Sequence, residues 1–292
     1  MQIRLKKDFK PPNRNWLLTT DNFLRQLLVM RITLHQIDAF TNHLFGGNPA
    51  AVSPLDRWIP DATMQAIAAE NNLSETAFFV PKGDNFEICW FTPVAEVDLA
   101  GHPTLATAYV ILEILEPKRA SVRFHTRNAG TLTVTRTGDK LRMDFPSRPP
   151  APRPGLGDVA AALGATPIEV LAARDGVAVF GSEEEVRALK PDFSKVAALD
   201  CMGLIATAPA APDSRTDFVS RFFAPKHNIN EDPVTGSAHA TLIPYWAKHL
   251  GKRTLFARQV SERTGEIWCE DCGERVGISG QCARFMEGII TL

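Results

Sequence analysis

The sequence predicts an α+β fold built from two similar domains, each a twisted, mostly antiparallel sheet wrapped around one buried helix. Three observations predict it. Two short glycine turns run into nearly all-apolar stretches, Asp98-Leu-Ala-Gly-His-Pro-Thr-Leu-Ala-Thr-Ala-Tyr-Val-Ile-Leu and Glu231-Asp-Pro-Val-Thr-Gly-Ser-Ala-His-Ala-Thr-Leu-Ile-Pro-Tyr-Trp. A helix that is apolar all round must be covered on every side. Each stretch is flanked by β-patterned runs, and a proline-rich segment from Pro146 to Pro154 reads as the link between two halves of similar plan. The expected division is 30–148 and 149–292, with the last strand able to pack back on the first domain and a functional cleft between the two.

In chain order, Met30 to Phe40 alternates and is β-branched enough for a strand. Phe45-Gly-Gly-Asn-Pro is a turn, and Ala50 to Val52 a short strand. A helix is expected from Asp61, with Asp61 as its N-cap after Pro60. Strands follow from Leu73 and from Phe86 to Thr92. The first glycine turn and its helix then run to about Glu116-Pro117. Val122 to Thr126, Gly130 to Arg136 and Leu141 to Phe145 form a meander. In the second half Asp158 caps a short helix to Leu163, and Ser182-Glu-Glu-Glu opens another with a capping box. Strands are expected at Val177 to Phe180, Leu204 to Thr207 and Asp217 to Phe223, and β structure after the second apolar helix.

Length and composition set limits. The chain has 292 residues, 45% hydrophobic and 22% charged, with a net charge of −1. That is enough chain for two domains of ordinary size. The near-even charge balance gives no basic face for nucleic acid or an anionic membrane. No stretch reaches the apolar length of a membrane span. Five cysteines in irregular spacing, with no secretion signal before them, read as a reduced cytoplasmic chain. Cys269 and Cys272 form a CxxC pair, but Cys282 offers at most one further zinc ligand, so two ordinary thiols in a hairpin are the expectation. Residues 1–29 are basic at first and change character at Met30. They read either as an extension outside the fold, with Met30 as the natural start, or as a docked helix around Asn22 to Val29.

The start of a helix presents unpaired backbone N–H groups and a partial positive charge. Two such starts facing each other would hold a small carboxylate. Gly236 and Ser237 open the second helix and suit that task. Glu75, directly before an apolar run, is either a surface acid at a strand start or a desolvated carboxyl of raised proton affinity, fit for proton transfer. His102 follows Gly101 at a helix head, where the dipole disfavours an imidazolium; it is either a satisfied capping histidine or a neutral substrate contact. Asp232 is an N-cap or a catalytic acid. Asn48 bonds a substrate or stabilises its turn. No dinucleotide fingerprint, phosphate loop, nucleophile elbow or HExxH zinc motif occurs.

These residues resemble a known family. Ile37-Asp-Ala-Phe with Phe45-Gly-Gly-Asn-Pro-Ala-Ala-Val, Asn72-Leu-Ser-Glu-Thr-Ala-Phe, Ala100-Gly-His-Pro-Thr-Leu-Ala, Glu231-Asp-Pro-Val-Thr-Gly-Ser-Ala and Val276-Gly-Ile-Ser-Gly-Gln stand in the order found in PhzF-like (phenazine biosynthesis-like) isomerases, relatives of diaminopimelate epimerase. The resemblance implies two barrel-like domains, each around a central helix, and a cofactor-free, homodimeric isomerase acting on a small carboxylate. It implies Glu75 as the general acid/base, with His102 and Asp232 positioning or polarising the substrate. Gly101, Gly236 and Ser237 would hold its carboxylate, and Asn48, Ser74 and Asp38 would bind it or support the pocket. The epimerase relatives use two cysteines, one at each helix head. Gly101 and Asp232 stand there in this chain, so two-thiol racemisation is not expected. The alternative is a small-acid-binding protein that kept the cleft and lost the reaction.

Overall fold

The computed structural model describes residues 30–212 and 214–292. The readings made for residues 1–29 lie outside them. Strand β1 (Arg31–Ala39) pairs antiparallel with β2 (Asn48–Pro54). Helix α1 (Asp61–Asn71) leads to β3 (Thr76–Lys82), which lies parallel to β2. Strand β4 (Asn85–Phe91) returns antiparallel and carries the two-residue β5 (Glu96–Val97). Helix α2 (Gly101–Tyr109) runs on into a π-helical turn at Val110–Leu115 and crosses to β6 (Ser121–Thr126), parallel to β4. The meander closes with β7 (Thr131–Thr137) and β8 (Lys140–Pro146).

The second half opens with β9 (Ala151–Pro152), α3 (Val159–Leu163), β10 (Glu169–Ala172) and β11 (Gly176–Val179). Helices α4 (Glu183–Ala188) and α5 (Phe193–Ala198) lead to β12 (Leu204–Pro209), parallel to β11. Strand β13 (Phe218–Ala224) and β14 (Ile229–Asp232) precede α6 (Gly236–Leu250). That helix crosses to β15 (Thr254–Gln259), parallel to β13. Strands β16 (Gly265–Asp271), β17 (Arg275–Gly280) and β18 (Cys282–Thr291) follow. The order of pairings repeats. In each half three antiparallel hairpins are joined by two helical crossovers, and the apolar helix makes the second.

The sequence anticipated two separate sheets. The described strands instead belong to one hydrogen-bonded sheet of 18 strands, because β8 pairs with β17 across the halves. The last strand, β18, returns to pair along the whole of β1. One core runs through both halves and includes Trp90, Leu105, Phe124, Trp246 and Ile278. Smaller cores lie under α1 (Met64, Phe78, Phe91) and under α3 to α5 (Leu163, Phe180, Phe223). Helix α2 packs on β1, β2, β3 and β8, and α6 on β15, β16 and β17. Among the described residues no helix is long and apolar enough to cross a membrane.

Local readings need four corrections. Pro60, not Asp61, occupies the cap position of α1; Asp61 pairs with Arg127 at 2.8 Å. Strand β3 begins at Thr76 rather than Leu73, because Asn72 ends α1 with φ +49° and the chain needs three residues to turn into the sheet. The proline-rich link contains β9, which pairs with β10. Strand β10 and helix α5 were not anticipated, whereas the return of the last strand to the first half was.

The turn before β2 is held hard. Gly47 has φ +61°, and a Cβ there would lie 2.1 Å from the Ala39 carbonyl oxygen. The Arg263 guanidinium donates to the Gly46 and Gly47 carbonyls and to Asp38 Oδ1, and the other Asp38 oxygen accepts from Phe45 N–H. Gly47→Ala is therefore expected to destabilise the fold by more than about 2 kcal/mol, since the strain of a positive φ adds to a backbone clash. Urea unfolding measures it; an unchanged midpoint contradicts this account of the turn.

Candidate active site

Helices α2 and α6 meet head to head. A Cβ at Gly101 would sit 3.7 Å from Gly236 Cα and 3.9 Å from Ser237 N, so the two heads approach to van der Waals distance. Neither head carries a side-chain cap; Ala100 and Thr235 occupy the cap positions without capping bonds. In contrast, α3, α4 and α5 are capped by Asp158, Ser182 and Asp192. The first-turn N–H groups of α2 and α6 are thus left for a ligand. Both heads open on a cleft of about 700 Å³, whose wall includes Glu75, Gly101, His102, Asp232, Gly236 and Ser237.

Glu75 ends the turn between α1 and β3. Its side chain is 13% exposed, and Oε2 lies 3.3 Å from His102 Nε2. Neither atom has another partner among the described residues. Burial, reinforced by the negative charge of Asp232, pushes the Glu75 carboxyl up to about 8. Burial pushes His102 down to about 3, against the pull of the Pro49 carbonyl. At neutral pH Glu75 therefore carries a proton and His102 is uncharged.

The tautomer of His102 follows from counting protons. The Asn48 amide has two, and they go to Asp232 Oδ1 at 2.8 Å and the Val234 carbonyl at 2.9 Å. None is left for His102 Nδ1, 3.2 Å away. Nδ1 then bears the ring hydrogen and donates to the Pro49 carbonyl. Nε2 keeps its lone pair and faces the Glu75 carboxyl 3.3 Å away, in reach of its proton but without a formed hydrogen bond. Asp232 is fully enclosed. Its second oxygen accepts from Thr235 Oγ1, its backbone carbonyl accepts from Gln259 Nε2, and burial pushes its carboxyl up to about 6. It does not cap α6, because the helix starts beyond Pro233 and Val234.

The remaining sequence candidates separate. Asn48 is fully buried behind the wall, where its amide donates to Asp232 and to the Val234 carbonyl beside the His102 ring. Asp38 and Ser74, taken as substrate-binding, are not part of the cleft wall. Asp38 is engaged by Arg263 and the turn, and Ser74, half-buried, lies in the connection between α1 and β3. Gln259, Thr235 and the wall cations Arg148, Arg174 and Lys226 were missed. Cys269 is buried in β16 and Cys272 is exposed in the following turn; all five cysteines are free thiols.

The stored proton has a stability signature. Folded Glu75 binds its proton up to about 8, whereas its ordinary value is 4.5. Between these limits the folded state holds more protons than the unfolded one, so this group's contribution to stability falls as pH rises. Glu75→Gln is expected to match the parent below pH 4.5 and to exceed it by roughly 5 kcal/mol at pH 9. Urea unfolding at both pH values tests the sign.

A mostly antiparallel α+β sheet thus brings two uncapped helix heads and one buried carboxyl to a single cleft. The family model described as phenazine biosynthesis-like protein matches residues 37–288, and the chain belongs to that family. An uncharacterized isomerase of Pseudomonas aeruginosa is 49% identical, over 90% of this chain and 100% of its own. A PhzF-family protein of Enterococcus faecalis superposes with a TM-score of 0.86 at 46% identity, covering 90% of this chain and 100% of that one. A Pseudomonas aeruginosa protein described as a predicted epimerase shares the fold, with a TM-score of 0.70 at 19% identity over 89% and 99% of the two chains. These relatives support an isomerase.

Proposed function

We propose that this protein is an isomerase that moves a proton within a small carboxylate-bearing metabolite, with Glu75 as the general acid/base. The observation that carries the reading is the neutral Glu75 carboxyl, 3.3 Å from an uncharged His102, beside two facing helix heads whose N–H groups lack caps. In this reading the substrate carboxylate binds at the heads of α2 and α6, at Gly101, Gly236 and Ser237. Negative charge that develops as a carbon-bound proton leaves is spread onto that carboxylate and stabilised by the aligned donors. Ionised Glu75 takes the proton from one carbon, His102 Nε2 holds it in reach by hydrogen bonding, and Glu75 returns it to a second carbon on the same face. Asp232 and Asn48 keep the imidazole in the required tautomer. All the groups in this scheme belong to the chain itself.

A carboxyl of pKa about 8 suits this work, since both its forms are populated near neutral pH. The repeated order of strand pairings supports the division into two domains, 30–148 and 149–292, each around its own helix. Exposed Phe285 and Ile289 on β18, with Phe45 packed edge-on against Phe285, support a homodimer.

Incubating the protein with small unsaturated acids in heavy water tests the function. Deuterium is expected to enter a carbon position of at least one acid that the protein binds. Binding of such acids with no exchange at any carbon would mean a binding protein instead.

A further inference from the structure

We propose that the cleft contains a second anion subsite, formed by Arg148 and Arg174, and that the substrate is therefore a small acid carrying two anionic groups. The inference rests on the reading that the helix heads take the first carboxylate. It begins with an imbalance of charge along the wall. Two of the wall's acids are engaged: Glu96 pairs with Arg127 at 2.9 Å, and Asp98 accepts from Asn128 at 2.7 Å. Arg148 and Arg174 line the same cleft, and among the described residues neither guanidinium has a side-chain hydrogen bond or ion pair. Most arginines around them do; Arg119, Arg127, Arg142, Arg221 and Arg275 all bond carboxylates.

The two arginines are set by the fold. Pro244 sits inside α6 and has no N–H to give the Ala240 carbonyl, one turn earlier. The backbone N–H of Arg148 takes that carbonyl at 2.9 Å. This fixes the residue beside the first turns of α6, next to the helix head. Arg174 stands in the turn between β10 and β11, and β10 pairs with β9, just after Arg148 in the chain. Buried Asp175 lies in the fields of Arg174 and Arg148, which gathers both guanidiniums around one point of the wall. Lys226 adds a charge nearby; its ammonium donates to the Leu199 and Cys201 carbonyls and meets no carboxylate. One buried acid against two guanidiniums and an ammonium leaves this end of the cleft positive. Met202, 46% exposed between Cys201 and Gly203, offers an apolar face beside the cations for a carbon spacer.

A guanidinium binds a carboxylate or phosphate group through paired N–H donors, and two of them at one end of a closed cleft select for a charge there. The test compares matched acids by calorimetry: fumarate with crotonate, trans,trans-muconate with sorbate, and terephthalate with p-toluate. Each pair differs only by a carboxylate in place of a methyl group. At least one dicarboxylate is expected to bind tenfold or more tightly than its methyl partner. That gain should vanish in the Arg148→Met/Arg174→Met double variant, while the methyl partner binds that variant as well as it binds the parent. Equal affinities within all three pairs, or a gain that survives the double substitution, overturn the second subsite and leave the helix-head site standing. If no acid of any pair binds, both the helix-head reading and the second subsite fall. Thermal unfolding of the double variant within a few degrees of the parent shows that the fold is kept, since neither side chain is bonded among the described residues.

Discussion

Replacing Glu75 with Gln is expected to lower isotope exchange into any acid the protein turns over by about 10²–10⁴-fold or more. The amide keeps the shape of the carboxyl and still reaches His102 Nε2 through its NH₂ group, so ligand binding and folding should persist. What is lost is the only group at the helix heads that can both accept and release a proton near neutral pH. His102 cannot replace it, because burial keeps its pKa near 3. Asp232, at about 6, has both side-chain oxygens committed to Asn48 and Thr235. Exchange near the parent rate in Glu75→Gln would remove Glu75 from the proton path. The variant's higher stability at alkaline pH, argued above, gives an independent check that the substitution acted on a protonated, desolvated group.

Asn48→Ala is expected to cost about 3 kcal/mol of folding free energy, the largest loss foreseen for a single polar side chain near the cleft. Asn48 is fully buried, and its amide serves both Asp232 Oδ1 and the Val234 carbonyl. Removing it leaves two buried acceptors without donors, each worth about 1–3 kcal/mol when stranded, offset in part if water enters the gap. The same change should raise the proton affinity of Asp232, since the Asn48 bond is one of the two that hold it down. Exchange activity should then fall even at temperatures where the variant is folded. Chemical unfolding gives the first quantity and the pH profile of exchange the second. A variant as stable as the parent would show that the bridge between the halves is dispensable.

The sequence carried the site in its local patterns. Each helix head announced itself through a glycine turn followed by an apolar run, and such a run can only be buried. Glu75 stood out as an acid placed directly before an apolar strand. Other features depend on partners far along the chain and leave no local trace. Asp38 reads like a pocket residue beside the Phe45 turn, yet its partner is Arg263, 225 positions away. Asp232 reads like a helix cap, and only the position of Thr235 and the reach of Asn48 show that it is enclosed instead. Strand β18 was foreseen only as a last strand returning to the first half; its bounds were not, because its residues are mostly exposed or half-exposed and no apolar alternation marks them. Arg148 and Arg174 sit in connections without periodicity. The link that fixes Arg148 runs through a carbonyl freed by Pro244, which the sequence shows only as a proline out of place in a helix.

The central claim is that the Glu75 carboxyl is dry enough to keep its proton at neutral pH while remaining within reach of a ligand between two helix heads. Carbon-13 NMR of protein labelled at glutamate side-chain carboxyls, with Glu75 assigned by its absence in Glu75→Gln, measures this directly. The account predicts a carboxyl resonance that stays in the protonated position through pH 7 and moves with a midpoint near 8. A resonance that titrates near 4.5, like an exposed glutamate, would contradict it.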